Sequence, residues 1–242
     1  MGRVVEEMIQ NGKLLLDGTR TADGIVSVAL TAPSSKRYKL RVKRVGCRDY
    51  DTYDLRNDGG FELFPLRYGN GTYEVVLYEN VRGKTYTALA TLYVPVKLSR
   101  EDASQLQPNQ YVNYTDDSSF VRTARLLCDG ADDEWKFKHI RNLITSGFSY
   151  DYVKALLTKA GTLPDIDRCW EKRMGICQDL AALATAMFRA VGIPAKLVIG
   201  YAGKQYHAWV FATVNGEERF YDPTIEVSKK KLSKNYTIER WY

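Results

Sequence analysis

Cys177 stands where a cysteine can act as a nucleophile. It follows Gly175-Ile176 and opens a run with regular helical spacing, with apolar residues at Leu180, Leu183, Ala184, Met187, Phe188 and Val191. The first N–H groups of a helix lack an intrahelical acceptor and carry partial positive charge. A thiolate there is stabilised, and the same groups can receive an oxyanion. Leu180 and Leu183 take the core face and leave Cys177 at the mouth. A thiolate nucleophile needs a base or ion-pair partner, and the base needs an orienting group. His207 and Asp222 can supply both. They lie on strand-like runs joined by Asn215-Gly216, the sequence signature of a two-residue hairpin turn. That turn sets Val214 opposite Glu217, Trp209 opposite Asp222 and His207 opposite Thr224. His207 and Trp209 then share a face, and His207 is the diagonal neighbour of Asp222, about 7 to 8 Å away along the backbone.

The elements that would hold these residues follow from a change of period along the chain. Up to about Val94 the sequence alternates in short runs: Ile25 to Leu30, Tyr38 to Val45, Phe61 to Leu66, Tyr73 to Tyr78 and Thr85 to Val94. Pro65 marks an edge or a strand end. Short strands with closely spaced turns predict a β-sandwich over residues 1–98. Gly71-Thr72-Tyr73-Glu74-Val75 resembles the penultimate strand of immunoglobulin-like modules, in which a tyrosine secures a corner. Residues 99–117, rich in Asp, Ser, Gln, Asn and Pro, read as a linker. Residues 118–242 then show helical spacing: a helix from about Asp133 to Gly147, one from Asp151 to Ala160, one capped by Asp165 and running to Met174, and the helix opened by Cys177. Strand-like runs Ala195 to Tyr201, Tyr206 to Val214 and Glu217 to Asp222 follow, so this half is α+β.

Composition narrows the function classes. Thirty-five basic and twenty-nine acidic residues give a net charge of +6, spread along the 242 residues rather than gathered in a nucleic-acid footprint. The densest stretch, Lys36 to Arg44, alternates with Tyr38, Leu40 and Val42, which marks the wet face of a strand, and Lys229-Lys230-Lys231 reads as solvated surface. No apolar run reaches the about 20 residues a membrane span needs. Residues 1–11 carry no export signal, so the chain is expected to be cytoplasmic, or extracellular or surface-bound with its signal removed. The spacing of Cys47, Cys128, Cys169 and Cys177 fits no zinc pattern, and only two histidines could assist. A single Cys128–Cys169 bridge is one option the sequence leaves open, while Cys47, Cys128 and Cys169 otherwise read as small buried apolar residues.

Taken in order, Gly175-Ile176-Cys177-Gln178-Asp179-Leu180-Ala181, Gly192-Ile193-Pro194-Ala195, Gly200-Tyr201, His207-Ala208-Trp209-Val210 and Tyr221-Asp222-Pro223-Thr224 resemble the transglutaminase-like superfamily. The resemblance implies a papain-like fold, a helix bearing the nucleophile packed on a sheet bearing His and Asp, with Cys177, His207 and Asp222 in those roles. An immunoglobulin-like module ahead of such a domain looks like arrangements in bacterial members. Members often place a Tyr, Trp or Gln as a second oxyanion donor, for which Tyr150 is the candidate. Gln178 and Trp209 are further candidates for contacts with the oxyanion or substrate. The implied chemistry is acyl transfer from the amide of a protein or peptide through a thioester, ending in hydrolysis, deamidation or transglutamination, with no metal or cofactor. The rival expectation is a silent scaffold of the same fold, binding a cell-wall or cell-surface component.

Overall fold

A computed structural model of the chain describes residues 8–231 and 235–242. The chain divides into two compact units, Met1–Gln107 and Pro108–Tyr242.

The first unit is built from eight strands: β1 (Met8–Asn11), β2 (Leu14–Asp17), β3 (Ile25–Leu30), β4 (Tyr38–Arg44), β5 (Asp51–Leu55), β6 (Glu62–Pro65), β7 (Gly71–Arg82) and β8 (Thr85–Val96). They form two four-stranded sheets, ordered β1-β2-β3-β6 and β5-β4-β7-β8. Period-2 alternation decides which side chains meet. On β4, Tyr38, Leu40 and Val42 are buried, while Lys39 and Arg41 on the other face pair with Asp54 and Glu74. Tyr53 of one sheet packs on Phe64 of the other, with ring centroids 5.0 Å apart. Pro65 ends β6 on a sheet edge, where its missing N–H costs no ladder bond. Tyr73, fully buried at the start of β7, donates its hydroxyl to Gly69 O at 2.9 Å and accepts the Tyr68 N–H at 2.8 Å. That corner and the two-sheet order are consistent with the immunoglobulin-like sandwich expected from the sequence.

Residues 99–107 lie against this sandwich. Ser104 sits so close to Gly24 that a Cβ there would fall 2.6 Å from the Ser104 nitrogen.

The second unit is α+β. Its sheet, ordered β13-β12-β11-β14, comprises β11 (Ala195–Ala202), β12 (Gln205–Val214), β13 (Glu217–Tyr221) and β14 (Tyr236–Trp241). The helices are α1 (Ser119–Leu127), α2 (Asp133–Gly147), α3 (Tyr152–Leu157), α4 (Ile166–Lys172), α5 (Cys177–Ala190) and α6 (Pro223–Ser228). A two-stranded parallel pair, β9 (Ser149–Tyr150) and β10 (Met174–Gly175), completes it. Helix α5 is the centre. Every residue from Asp179 to Arg189 is buried, because β11 and β12 cover one side and α1, α2 and α4 the other. An apolar stripe becomes an all-round apolar surface when a helix is enclosed in this way.

Several elements end earlier than the sequence predicts. The helix expected over Asp151 to Ala160 stops at Leu157, with no buried residue to reward its continuation. The helix capped by Asp165 stops at Lys172, since Arg173 turns left-handed with φ 53°, and Met174–Gly175 pair as a strand. The strand expected to reach Asp222 closes at Tyr221, and Asp222 caps α6. Cys47, Cys128, Cys169 and Cys177 are all free, so the Cys128–Cys169 bridge does not form. No helix among the described residues is long and apolar enough to cross a membrane.

Candidate active site

Cys177 is the first residue of α5 and is partly exposed. Two local features fix it there. The Asp179 carboxylate reaches back to accept the Ile176 N–H at 3.0 Å, tying down the turn that enters the helix. Gly175 makes the turn fit, since a Cβ on it would lie 2.6 Å from the Cys169 sulfur and 2.9 Å from the Asp179 Cβ. Asp179 is wholly buried, and its charge is answered by Lys154 of α3 at 2.7 Å and by the Asp165 N–H at 3.0 Å.

His207 comes from β12. Asn215 (φ 50°) and Gly216 (φ 82°) make the left-handed turn that the pair Asn-Gly favours, and Val214 does stand opposite Glu217. The register holds through Val210 opposite Tyr221, so continuing it brings Asp222 level with Trp209, as the sequence predicts. Asp222 then leaves the strand, accepts the Ile225 N–H at 3.1 Å through Oδ1, and turns Oδ2 to His207 Nε2 at 2.7 Å. Both side chains are nearly out of solvent, at 6% and 1% exposure. Burial by itself would push the imidazolium to lose its proton. Hydrogen bonds to Asp222 and to Cys177 outweigh it, and the His207 pKa rises to about 9. With Nε2 engaged by Asp222, Nδ1 is the nitrogen left for the thiol.

Tyr150 joins this group. Parallel pairing of β9 with β10 sets Tyr150 beside Gly175, two residues before the nucleophile. Burial, reinforced by the charge of Cys177, raises its hydroxyl to about 12, so it stays protonated and able to donate. Gln178 lines the same groove as Cys177, and its side-chain amide donates to Thr162 O at 3.0 Å, tying the loop after α3 to α5. Trp209 is not among the described residues that line the cavities bordered by Cys177 and His207. It is fully buried beneath His207, ring centroids 6.3 Å apart, and packs edge-on against Tyr236 at 4.9 Å.

Tyr236 is a participant the sequence reading missed. Its hydroxyl donates to Asp222 Oδ2 at 2.7 Å, the same oxygen that holds His207. It arrives on β14, which crosses β11 at Gly200, where any Cβ would lie 2.0 Å from Thr237 O. Buried Arg189 of α5 secures the far end of that strand by donating to Tyr242 O at 2.7 Å.

Among the described residues, two cavities border Cys177 and His207. Cys177 lines a groove of about 760 Å³, together with Tyr111, Tyr201, Tyr206 and Tyr242. His207 lines a smaller one of about 190 Å³. Tyr150 and Gln205 border both. The other two thiols of this unit are unlike Cys177. Cys128 and Cys169 are buried, and desolvation pushes Cys169 up to about 12. No cluster of three or more metal-ligating side chains exists among the described residues.

A model of the transglutaminase-like superfamily matches residues 123–221, a span that includes Cys177 and His207 and ends one residue before Asp222. No curated protein matches the chain in sequence. Solved structures resemble it at low identity. A candidate cysteine protease from Cytophaga hutchinsonii shares 15% identity, covering 90% of this chain and 83% of its own, with a TM-score of 0.45. The periplasmic domain of TgpA from Pseudomonas aeruginosa shares 16%, covering 92% and 76%, with a TM-score of 0.43. A candidate protease from Parabacteroides distasonis shares 20%, covering 81% and 39%, with a TM-score of 0.40.

Proposed function

We infer that this chain, which carries a transglutaminase-like superfamily domain over residues 123–221, transfers acyl groups from amides through a thioester on Cys177. The observation that carries the reading is the His207 ring, held by Asp222 at 2.7 Å and raised by its interaction with Cys177, which itself lines a groove of about 760 Å³. A raised imidazolium beside a thiol is the arrangement that delivers a thiolate and a proton together. The Cys177 sulfur attacks the amide carbonyl. The oxyanion is received by N–H groups at the head of α5 and by the Tyr150 hydroxyl. As the C–N bond breaks, His207 gives its proton to the departing nitrogen. An acceptor, water or an amine, then attacks the thioester, gives a proton back to His207 and frees the sulfur. Asp222 keeps the ring oriented throughout. A groove of this size with tyrosine walls suits a peptide segment as the acyl donor.

The test is alkylation of the individual cysteines by iodoacetamide, followed by mass spectrometry across pH in the wild type and in His207→Ala. Cys177 should react fastest, and the variant should slow it by about 10²-fold near neutrality. The buried Cys128 and Cys169 serve as internal references. A Cys177 that reacts no faster than those two, in either protein, would sink the enzymatic reading and leave a binding module of the same fold.

A further inference from the structure

Two cavities meet at Tyr150 and Gln205, beside Cys177 and His207. Of the two cavities described, Cys177 lines the large groove and His207 the small one. The sulfur attacks the carbonyl carbon while His207 protonates the nitrogen, so the acyl part belongs in the groove and the amine part in the pocket of about 190 Å³. That volume is about a quarter of the groove's 760 Å³, enough for a group the size of one amino acid.

The chemistry of its wall is one-sided. Lys230 and Lys231 line it, and no carboxylate among the described residues does. Neither lysine forms an ion pair with another described residue, and Lys230 is held 5.5 Å over the Tyr152 ring. Thr224 lines the same pocket. It is 8% exposed, and its buried hydroxyl has no hydrogen-bond partner among the described residues. A buried hydroxyl without a partner is a cost that a ligand acceptor can remove.

Resting on the acyl-transfer reading above, we propose that this pocket is the amine subsite and that it selects amines bearing a carboxylate, of the size of a single amino acid. Lys230 and Lys231 neutralise the carboxylate, and the Thr224 hydroxyl donates to one of its oxygens. The favoured amide is then one whose nitrogen belongs to a terminal amino acid with a free carboxylate. In the forward direction the C–N bond breaks, the amino acid leaves with the proton from His207, and water hydrolyses the thioester. In the reverse sense an amino acid can enter the pocket, give its proton to His207 and take the acyl group from sulfur.

The experiment exploits that reverse step, because it needs no knowledge of the natural acyl donor. The full chain is acetylated with p-nitrophenyl acetate, and a nitrophenolate burst absent from Cys177→Ala reports the thioester. L-alanine or L-alaninamide is then supplied, and N-acetylated product is measured by mass spectrometry. The same ratio is taken in Lys230→Gln/Lys231→Gln, which cancels the different intrinsic reactivity of the two amines. The expected result is a preference for alanine over alaninamide about tenfold larger in the wild type than in the variant, the size of one charge-assisted contact. Equal ratios with a normal burst overturn the subsite and leave acyl transfer standing. Absence of a Cys177-dependent burst overturns both.

Discussion

Asp51 in the sandwich and Asp222 in the α+β unit each hold a cationic partner away from water. Arg67 reaches Asp51 with Nε at 2.7 Å, and both side chains are about nine-tenths buried. His207 reaches Asp222 at 2.7 Å and is buried more deeply still. The partners differ in what they can give up. Burial opposes the Arg67 charge, but Asp51 more than restores it, and a guanidinium so raised keeps its proton at any working pH. His207 is raised to about 9 by Asp222 and Cys177 against its burial, and lines a cavity. Burial and pairing are therefore common to both. An exchangeable proton, a third group to receive it and a space for a ligand are what separate a chemical pair from a scaffold pair.

The largest effect should come from neutralising each aspartate in turn. Asp222→Asn leaves His207 without the charge that fixes its tautomer and stabilises its cation, and the p-nitrophenyl acetate burst should slow by about 10² to 10⁴-fold. Asp51→Asn should leave the burst rate of the folded protein unchanged. Equal losses in the two variants would break the comparison, because both aspartates would then act through stability alone.

Stability should respond in the opposite sense. Arg67→Met strands a buried carboxylate and should cost about 3 to 5 kcal/mol in denaturant unfolding of the sandwich, while Asp51→Leu/Arg67→Met together should come back close to the wild type. The two pairs also part with pH. The folded protein raises His207 from 6.5 to about 9, so this pair's contribution is complete below 6.5 and is lost as pH rises through about 9. The arginine pair contributes evenly across the same window. Melting followed from pH 6 to 10 in wild type and in Asp222→Asn would expose the difference, and identical profiles would contradict it.

How far these differences could be read from sequence depends on how local their causes are. The Asn215-Gly216 turn fixes register by dihedral preference alone, so counting back from it placed His207 and Asp222 correctly. The helix opened by Cys177 was legible because its apolar spacing is long and regular. Tyr73 announced its corner through the turn Gly69-Asn70-Gly71 just before it. What stayed hidden depends on approach between distant segments. No element was read from the sequence at helix α1, whose apolar face is short and whose Leu126 is exposed. Strand β14 is six residues long, and only the bare Gly200, against which Thr237 O lies, hints that a backbone must pass there. Trp209 shares a face with His207, but that face turns inward, under the ring rather than into a cavity. The ion pair of Lys154 with Asp179 joins residues whose proximity no local pattern encodes.

The smallest effect is expected at Tyr236, and it tests the comparison most finely. Asp222 Oδ2 takes two donors at 2.7 Å, His207 and the Tyr236 hydroxyl. Tyr236→Phe removes one donor and keeps the ring that packs on Trp209 and Phe220. The carboxylate charge then falls more fully on His207, which should hold its proton more tightly. Amide cleavage that needs the protonated ring should fall with a midpoint near pH 9 in the wild type, and that midpoint should move upward in the variant. With one of its anchors gone, the Asp222 carboxylate is less well oriented, and kcat should drop by about tenfold with KM unchanged. A purely structural tyrosine would lower stability and leave the midpoint where it was. That outcome would return Tyr236 to the scaffold and make Asp222, like Asp51, a carboxylate with a single partner that matters.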